Sequence, residues 1–326
     1  MRILYIGEPQ THDKYVQGIV PSHWLYGACE MEKEGHEVIW EKERFYFMND
    51  WWLILKYRPN MVFIPNHNLH SHVLLLLLST VKLYRKPVYA YLHHGPVVKK
   101  GIKTLFYRLL LKGLKHIFFL SEKTMRETIA DGLVEIDKCS VPGWGADLAF
   151  FSKVVTSNKG YFVSTGKENR DFDILIEAFR QTGAPLIIMT AKNHNDSNYE
   201  DLDKKCKNIS NVKVILTENT GDVYPQMLKV MAEAKALVCP LRQDRLNYCV
   251  GLSSISDAEG LHKPLIITHN LYHDAERSSK FHVVESVDDW VKAIQRINET
   301  DELFETAESS NSMQLAYEHM TGVMFQ

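Results

Sequence analysis

The chain has 326 residues, of which 45% are hydrophobic and 24% charged, and a formal net charge of −2. These proportions exclude a disordered or fibrous chain, and the length suits two domains of roughly 150 residues each. Five scattered cysteines (Cys29, Cys139, Cys206, Cys239 and Cys249) without a CxxC pair argue against a disulfide framework or a zinc site, and suit a reducing cytoplasm.

The N-terminal stretch MRILYIGEP is a short apolar run closed by Gly and Pro, too short for the core of a signal peptide, and it predicts a first β-strand. Further runs in the first half, HEVIWE, MVFIP, PVYAYLH and HIFFLS, are short, rich in β-branched or aromatic residues, and closed by turn or polar residues, as buried parallel strands are. Between them PSHWLYGACEMEKEG and TLFYRLLLKGLK have helical spacing. The longest apolar run, Val73 to Leu78, falls far short of the roughly 20 residues that a membrane span requires. The second half repeats the rhythm, with strands GYFVSTG, PLIIMTA, VKVILT, ALVCP and PLIIT and helices DFDILIEAFRQTG and VYPQMLKVMAEA.

The pattern predicts an α/β protein with two Rossmann-like, doubly wound domains facing across a cleft. Pro142, Gly143 and Gly145 interrupt it near Val141 to Ser152 and mark the seam. The expected division is 1–145, 146–308 and an amphipathic C-terminal segment, 309–326, packing back on the first domain. In such an architecture ligands sit beyond the carboxyl ends of the strands, so the candidate ligand contacts are the segments after Gly7, His94, Gly166, Thr190, Thr217 and Pro240.

One of these segments follows GYFVSTG. Lys167 and Arg170 stand between that strand and the next helix, where a point charge and a bidentate fork could grip a diphosphate; a solvated turn is the plain alternative. Another, NYCVGLSSISDAEGLHKPLI, places small residues and an acid between two buried strands, an order that suits a turn feeding a helix whose first N–H groups attract phosphate.

Together, TGKENRDFDILIEAF and this second stretch resemble the two hallmarks of the C-terminal domain in retaining GT-B glycosyltransferases related to glycosyltransferase family 4. The resemblance implies that the donor nucleotide's phosphates meet Lys167, Arg170 and the Gly251, Leu252, Ser253 and Ser254 turn, with Gly166 and Arg242 beside them, and that Asp257 binds the ribose hydroxyls. It departs from the family pattern at Cys249, which stands where the first of two glutamates is usual, and at His262, which replaces Gly before Lys263 and Pro264. In the first half, His94 before Gly95 resembles the family's strand-end histidine that faces the reacting sugar. Two adjacent histidines on a strand point to opposite faces, so only one of His93 and His94 can face a ligand, and His94 is the expected one. Gly18, Ser22 and His23 lie in EPQTHDKYVQGIVPSHW, expected to be the acceptor-side loop.

What the resemblance implies is transfer of a sugar from a nucleotide sugar, a UDP-sugar first among them, to a glycan or polyprenyl-linked acceptor in cell-surface polysaccharide synthesis. The alternatives are a degenerate scaffold of the same fold, motivated by Cys249, and a nucleotide-sugar epimerase. No cofactor or metal is expected: DLD at Asp201 to Asp203 matches an Asp-x-Asp string but sits in a polar stretch with no strand before it, as on a solvated helix. Between Lys82 and Arg126 there are eleven Lys or Arg and a single acid, Glu122. Within this block LFYRLLLKGLKHIF pairs a Leu/Phe face with Arg108, Lys112 and Lys115, which suits either peripheral contact with an anionic membrane through the Lys99–Lys115 region or a half-buried helix with its cations in water. No nucleic-acid module accompanies it.

Overall fold

The computed structural model describes residues 1–65, 68–96, 101–194, 197–218, 221–300 and 311–325. The chain divides into two compact units, Met1–Asp147 with Ser310–Gln326, and Leu148–Ser309. The expected boundary at 308 and 309, and Lys99 and Lys100 of the basic block, lie outside the described residues.

Unit 1 runs β1 (Arg2–Ile6), α1 (Pro9–Val16), α2 (Ala28–Lys33), β2 (Glu37–Glu41), α3 (Asn49–Tyr57), β3 (Met61–Ile64), α4 (Val73–Thr80), β4 (Val88–Leu92), α5 (Ile102–Lys112), β5 (His116–Phe119), α6 (Glu122–Ala130) and β6 (Cys139–Ser140). Its six-stranded sheet has the order β2-β1-β3-β4-β5-β6, with every pairing parallel. The central strands β3, β4 and β5 are buried throughout, as parallel strands covered on both faces are. One core cluster joins Leu4, Val62, Ala90 and Ile117 of the sheet to Leu53 and Ile54 of α3, Leu75 and Leu76 of α4, and Leu110 and Leu111 of α5, so these three helices share one side of the sheet.

Unit 2 runs α7 (Leu148–Phe151), β7 (Phe162–Thr165), α8 (Phe172–Thr182), β8 (Leu186–Ala191), β9 (Asn193–His194), β10 (Ser197–Asn198), α9 (Leu202–Cys206), β11 (Val212–Thr217), α10 (Tyr224–Glu233), β12 (Ala236–Cys239), α11 (Leu252–Leu261), β13 (Leu265–Thr268), α12 (Ala275–Ser278), β14 (His282–Val284) and α13 (Val287–Glu299). Its main sheet is again six-stranded and parallel, in the order β11-β8-β7-β12-β13-β14. In each unit the strand order reverses once, between β1 and β3 and between β7 and β12, and that switch point is where a ligand finds room between diverging loops.

The chain returns to unit 1 with α14 (Met313–Met324). Met313 donates its N–H to Ala146 O at 3.0 Å, Tyr317 Oη donates to Glu34 Oε2 at 2.7 Å, and Tyr89 Oη donates to Met324 O at 3.2 Å.

Two local expectations are corrected. The stretch PSHWLYGACEMEKEG is not one helix: Tyr26 and Gly27 take positive φ (+50° and +88°) and split it into a 3₁₀ turn, Ser22–Leu25, and α2. The loop expected after β1 is largely helical, since Pro9 at the start of α1 has its ring φ preset for a helix.

α5 meets α4 closely at Gly113, where an added Cβ would stand 2.2 Å from Leu76 O and 2.9 Å from Thr80 Oγ1. Because the first clash is with backbone, α4 and α5 must separate to relieve it. Gly113→Ala is expected to destabilise the protein by about 2 kcal/mol, read as a lower urea midpoint with an unchanged m-value. An unchanged midpoint would show that the helices yield without cost.

Candidate functional site

At the switch point of unit 2 the loops after β7 and β12 are zipped together. Arg170 and Leu241 form an isolated antiparallel bridge, Arg242 N–H donates to Asn169 O at 2.9 Å, and Asp171 N–H donates to Pro240 O at 3.1 Å. Arg170 is only 4% exposed, and its guanidinium folds back beneath the strand end. It donates to Glu168 O (2.7 Å), to Thr165 O through both Nε and Nη2 (3.4 Å each), and to Ser254 Oγ (3.4 Å). Gly166 makes this possible. Its φ is +99°, and a Cβ there would lie 2.4 Å from Arg170 Nη2. All of these acceptors are neutral, and among the described residues no carboxylate forms an ion pair with Arg170. Lys167 is half-buried beside it, and burial lowers its pKa from the ordinary lysine value, an effect partly offset by Glu168.

Ser254 belongs to the first turn of α11, so the buried arginine touches the start of that helix. The residue before α11, Gly251, has φ +91°, and a Cβ there would press on Leu241 Cδ1 (3.1 Å) and Cys239 Sγ (3.3 Å). No side chain caps the helix. Ser253 is exposed, whereas Gly251, Leu252 and Ser254 are buried. The Tyr248 to Val250 approach is held from outside: Asn270 Nδ2 donates to Tyr248 O and Val250 O at 3.1 Å each, and His273 Nε2 lies 2.8 Å from Val250 O. Burial pushes the His273 pKa down to about 4, so it is neutral at pH 7 and can serve this loop as a hydrogen-bond donor.

Farther along α11, Asp257 accepts a hydrogen bond from Tyr224 Oη at 3.2 Å, and burial pushes its carboxyl up to about 7, with Tyr224 lowering it in part. Glu259 is a second buried acid on the same helix. It forms a two-point ion pair with Arg277 (Nε to Oε1 2.9 Å, Nη2 to Oε2 2.5 Å), and Nη2 also reaches Ser256 Oγ at 3.0 Å. The structure thus brings Gly166, Arg170, Ser254 and Gly251 together, with half-buried Arg242 joined to them through the backbone. It spends Glu259 on holding the helix. Cys249 is buried, and its thiol is pushed up to about 12 by burial, so no carboxylate is available there. Asp201 pairs with Lys204 at 2.7 Å on the surface of unit 2, and Asp203 is exposed.

Unit 1 has a cavity of about 460 Å³ lined by Gly7, Glu8, Gln10, Thr11, Trp24, Tyr26, Lys42, Glu43, Pro65 and His93. Gly7 and Pro65 follow β1 and β3, so this cavity also opens at a switch point. The strand-end histidine that lines it is His93, whereas His94 was the expected one. The reason is the period of two along β4: His93 continues the face of Tyr89 and Tyr91, and its ring lies 4.6 Å from that of Tyr26. His94 is half-buried and off the cavity wall.

Ser22 and His23 are not ligand contacts in this arrangement. Ser22 N–H donates to Asp147 Oδ2 and its hydroxyl to Glu30 Oε1, both at 2.8 Å, while fully buried His23 accepts from Trp144 Nε1 through its carbonyl (2.7 Å) and from Asp147 N–H through Nδ1 (3.2 Å). Gly18 is an exposed turn after α1 at φ +72°, with open space around it. Sequence reading passed over Glu43, which lies 3.9 Å from buried His72, itself hydrogen-bonded to Asp50 Oδ2 at 2.8 Å. No motif marks that trio, because its members come from separate loops and helices.

The raised pKa of Asp257 carries a stability consequence. With a native value of about 7 against an ordinary 3.8, its contribution is fully present below the ordinary value and is lost as pH rises through 7. Asp257→Asn keeps an acceptor for Tyr224 but cannot ionise. It is expected to gain on the parent by a few kcal/mol between about pH 4 and pH 8, measured as the difference in unfolding free energy, and a gap that does not change with pH would refute the assignment.

No family model matches the sequence, and no curated protein matches it. Solved structures do. The chain is similar to the UDP-GlcNAc 2-epimerase from Neisseria meningitidis bound to UDP-GlcNAc, at 12% identity, covering 100% of each chain with a TM-score of 0.59. It is similar to HepE from Anabaena in complex with UDP, at 13% identity, covering 99% of this chain and 94% of that one with a TM-score of 0.56. A third likeness is to AviGT4, a glycosyltransferase involved in avilamycin A biosynthesis, at 11% identity over 100% of this chain and 97% of that one, with a TM-score of 0.62. At such identities the likeness is one of fold. The chain is an α/β protein of two Rossmann-like domains with a GT-B-like fold.

Proposed function

We propose that this protein is a retaining, metal-independent hexosyltransferase that moves a sugar from a nucleotide sugar, a UDP-sugar first among them, to a glycan or lipid-linked acceptor. The observation that carries the reading is Arg170: a buried guanidinium without a carboxylate, beside the uncapped start of α11, at the strand-order reversal of unit 2. A diphosphate is the ligand this arrangement suits. Arg170 and Lys167 stabilise the charge that grows on the leaving nucleotide as the bond from the anomeric carbon to the phosphate oxygen breaks. The N–H groups of the Gly251 to Ser254 turn lie alongside the phosphates, and Asp257 meets the ribose. The UDP and UDP-GlcNAc bound by two of the similar structures favour a uridine nucleotide.

Retention and kinship with family 4 rest on the sequence resemblance. In that scheme the departing phosphate takes the acceptor hydroxyl's proton, and the acceptor oxygen bonds to the face that the leaving group quits. The acceptor is assigned to the unit 1 cavity, where the Trp24 and Tyr26 rings and His93 offer a platform for a sugar. Cell-surface polysaccharide synthesis, with the protein in the cytoplasm and peripheral on the membrane, is the setting that this acceptor class suggests.

A second reading has its own observation. The same cavity carries two carboxylates, Glu8 and Glu43, together with His93, a set capable of moving protons on a sugar ring as an epimerase must. The two readings separate on one assay: an epimerase converts a sugar nucleotide alone into its epimer, whereas a transferase needs an acceptor.

The testing experiment is a thermal-shift panel of UDP, GDP, ADP and CMP with and without magnesium. UDP is expected to raise the melting temperature equally in both conditions, and Arg170→Ala to weaken UDP binding at least tenfold. If no nucleotide shifts the melting temperature, or if Arg170→Ala binds UDP as the parent does, the phosphate assignment falls.

A further inference from the structure

Helix α5 carries two apolar faces. Leu110 and Leu111, with Leu114 just beyond, point into the core, as an ordinary domain helix requires. Ile102, Leu105, Phe106 and Leu109 form a second stripe at i, i+3, i+4 and i+7, and this one faces solvent, with exposures of 85%, 64%, 39% and 41%. At the helical angle of about 100° per residue, Arg108 and Lys112 flank the stripe on one side and Lys103 on the other, and all three are exposed. α5 contains no acidic residue.

The neighbouring helices extend the patch. α3, α4 and α5 pack side by side against one core cluster on one side of the sheet, so their outer faces look the same way. Thr80 of α4 donates to Leu109 O at 2.8 Å, which fastens the α5 stripe to this layer. On α3, Trp52 and Leu55 are more than half exposed, and the loop before it presents Phe45, Tyr46, Phe47 and Met48 to solvent. Exposed Lys56, Arg58, Lys82, Arg85 and Lys86 lie on or next to the same helices.

We propose that the outer face of the α3–α4–α5 layer, centred on the α5 stripe, docks on bilayers rich in anionic phospholipid. An exposed apolar stripe between cations is the arrangement that buries side chains at the acyl boundary and leaves the charges among headgroups. The exposed aromatics beside α3 suit the same interfacial depth. A second copy of the chain is the poorer occupant, because a twofold contact would set Lys103, Arg108 and Lys112 against their own images. The inference deepens the membrane setting of the proposed function and rests on that reading only for the nature of the acceptor. Vesicle binding is measured without any sugar nucleotide, so its failure and the failure of the UDP experiment are separately visible.

The test is co-sedimentation of the full-length protein with vesicles of phosphatidylcholine alone, or of phosphatidylcholine and phosphatidylglycerol in equal parts. Partitioning is expected to be more than tenfold stronger on the anionic vesicles and to weaken with added salt. The double variant Lys103→Glu/Arg108→Glu is expected to lose more than tenfold, at about fivefold for each basic charge removed. Leu105→Ser is expected to lose severalfold at unchanged melting temperature, while Val155→Ser, at an exposed apolar residue of unit 2, leaves binding unchanged. Equal partitioning onto both vesicle types, or full retention by the double variant, overturns the proposal. So does a parent dimer without vesicle binding that Leu105→Ser converts to monomer, since the stripe is then covered by a second copy.

Discussion

A guanidinium held among neutral acceptors sets the geometry of unit 2. Arg170 is desolvated by the strand end, and the carbonyl dipoles of Thr165 and Glu168 with the Ser254 hydroxyl replace its lost water. That substitution demands a glycine at 166, a tight turn from β7, and a fixed distance to α11. A second arginine acts on the same helix in the opposite sense. Arg277 is cancelled by Glu259, so the pair anchors α11 without adding charge. The two together give one helix an ion-paired anchor along its length and, at its first turn, an arginine held by neutral acceptors.

Unit 1 shows a different division of labour. Its cavity is lined by the rings of Trp24, Tyr26 and His93 together with the charged side chains of Glu8, Lys42 and Glu43, and Tyr26 packs against His93 and buried Tyr91. Tyr26 reaches this position through a left-handed backbone that a run of helix would not permit. The polar residues next to it in sequence, Ser22 and His23, are committed to Asp147 and Glu30 inside the fold. Those two side chains support the wall that their neighbour Tyr26 forms.

The two sheets were legible in the sequence because a parallel strand covered on both faces has to be apolar throughout, as MVFI, VYAYL and ALVC are. The shortest pieces were not: β6 has two residues, β14 reads HVV, and the β9 and β10 hairpin is polar, so none carries a periodic signal. At the site, the Gly166 to Arg170 and Gly251 to Ser254 segments were visible because backbone geometry and charge both mark them. The choice between His93 and His94 was invisible, since strand parity depends on where β4 ends. Tyr224, Asn270 and His273, which hold the site from behind, come from elements far apart in sequence and share no motif. Their roles exist only once the chain is folded.

Unit 1 is discontinuous, and this orders events on the ribosome. α14 emerges after the whole of unit 2, yet it fills a place against Gly27, Tyr89 and Ala146, which were made early. Until then the surface around Gly27 that will receive Met313, Tyr317 and Met320 stays open. Unit 2, translated between the two parts, has all its strands before unit 1 is closed. The nascent chain therefore carries a finished domain on an unfinished one, and the interval between them is a window in which chaperones or neighbouring chains meet an apolar groove.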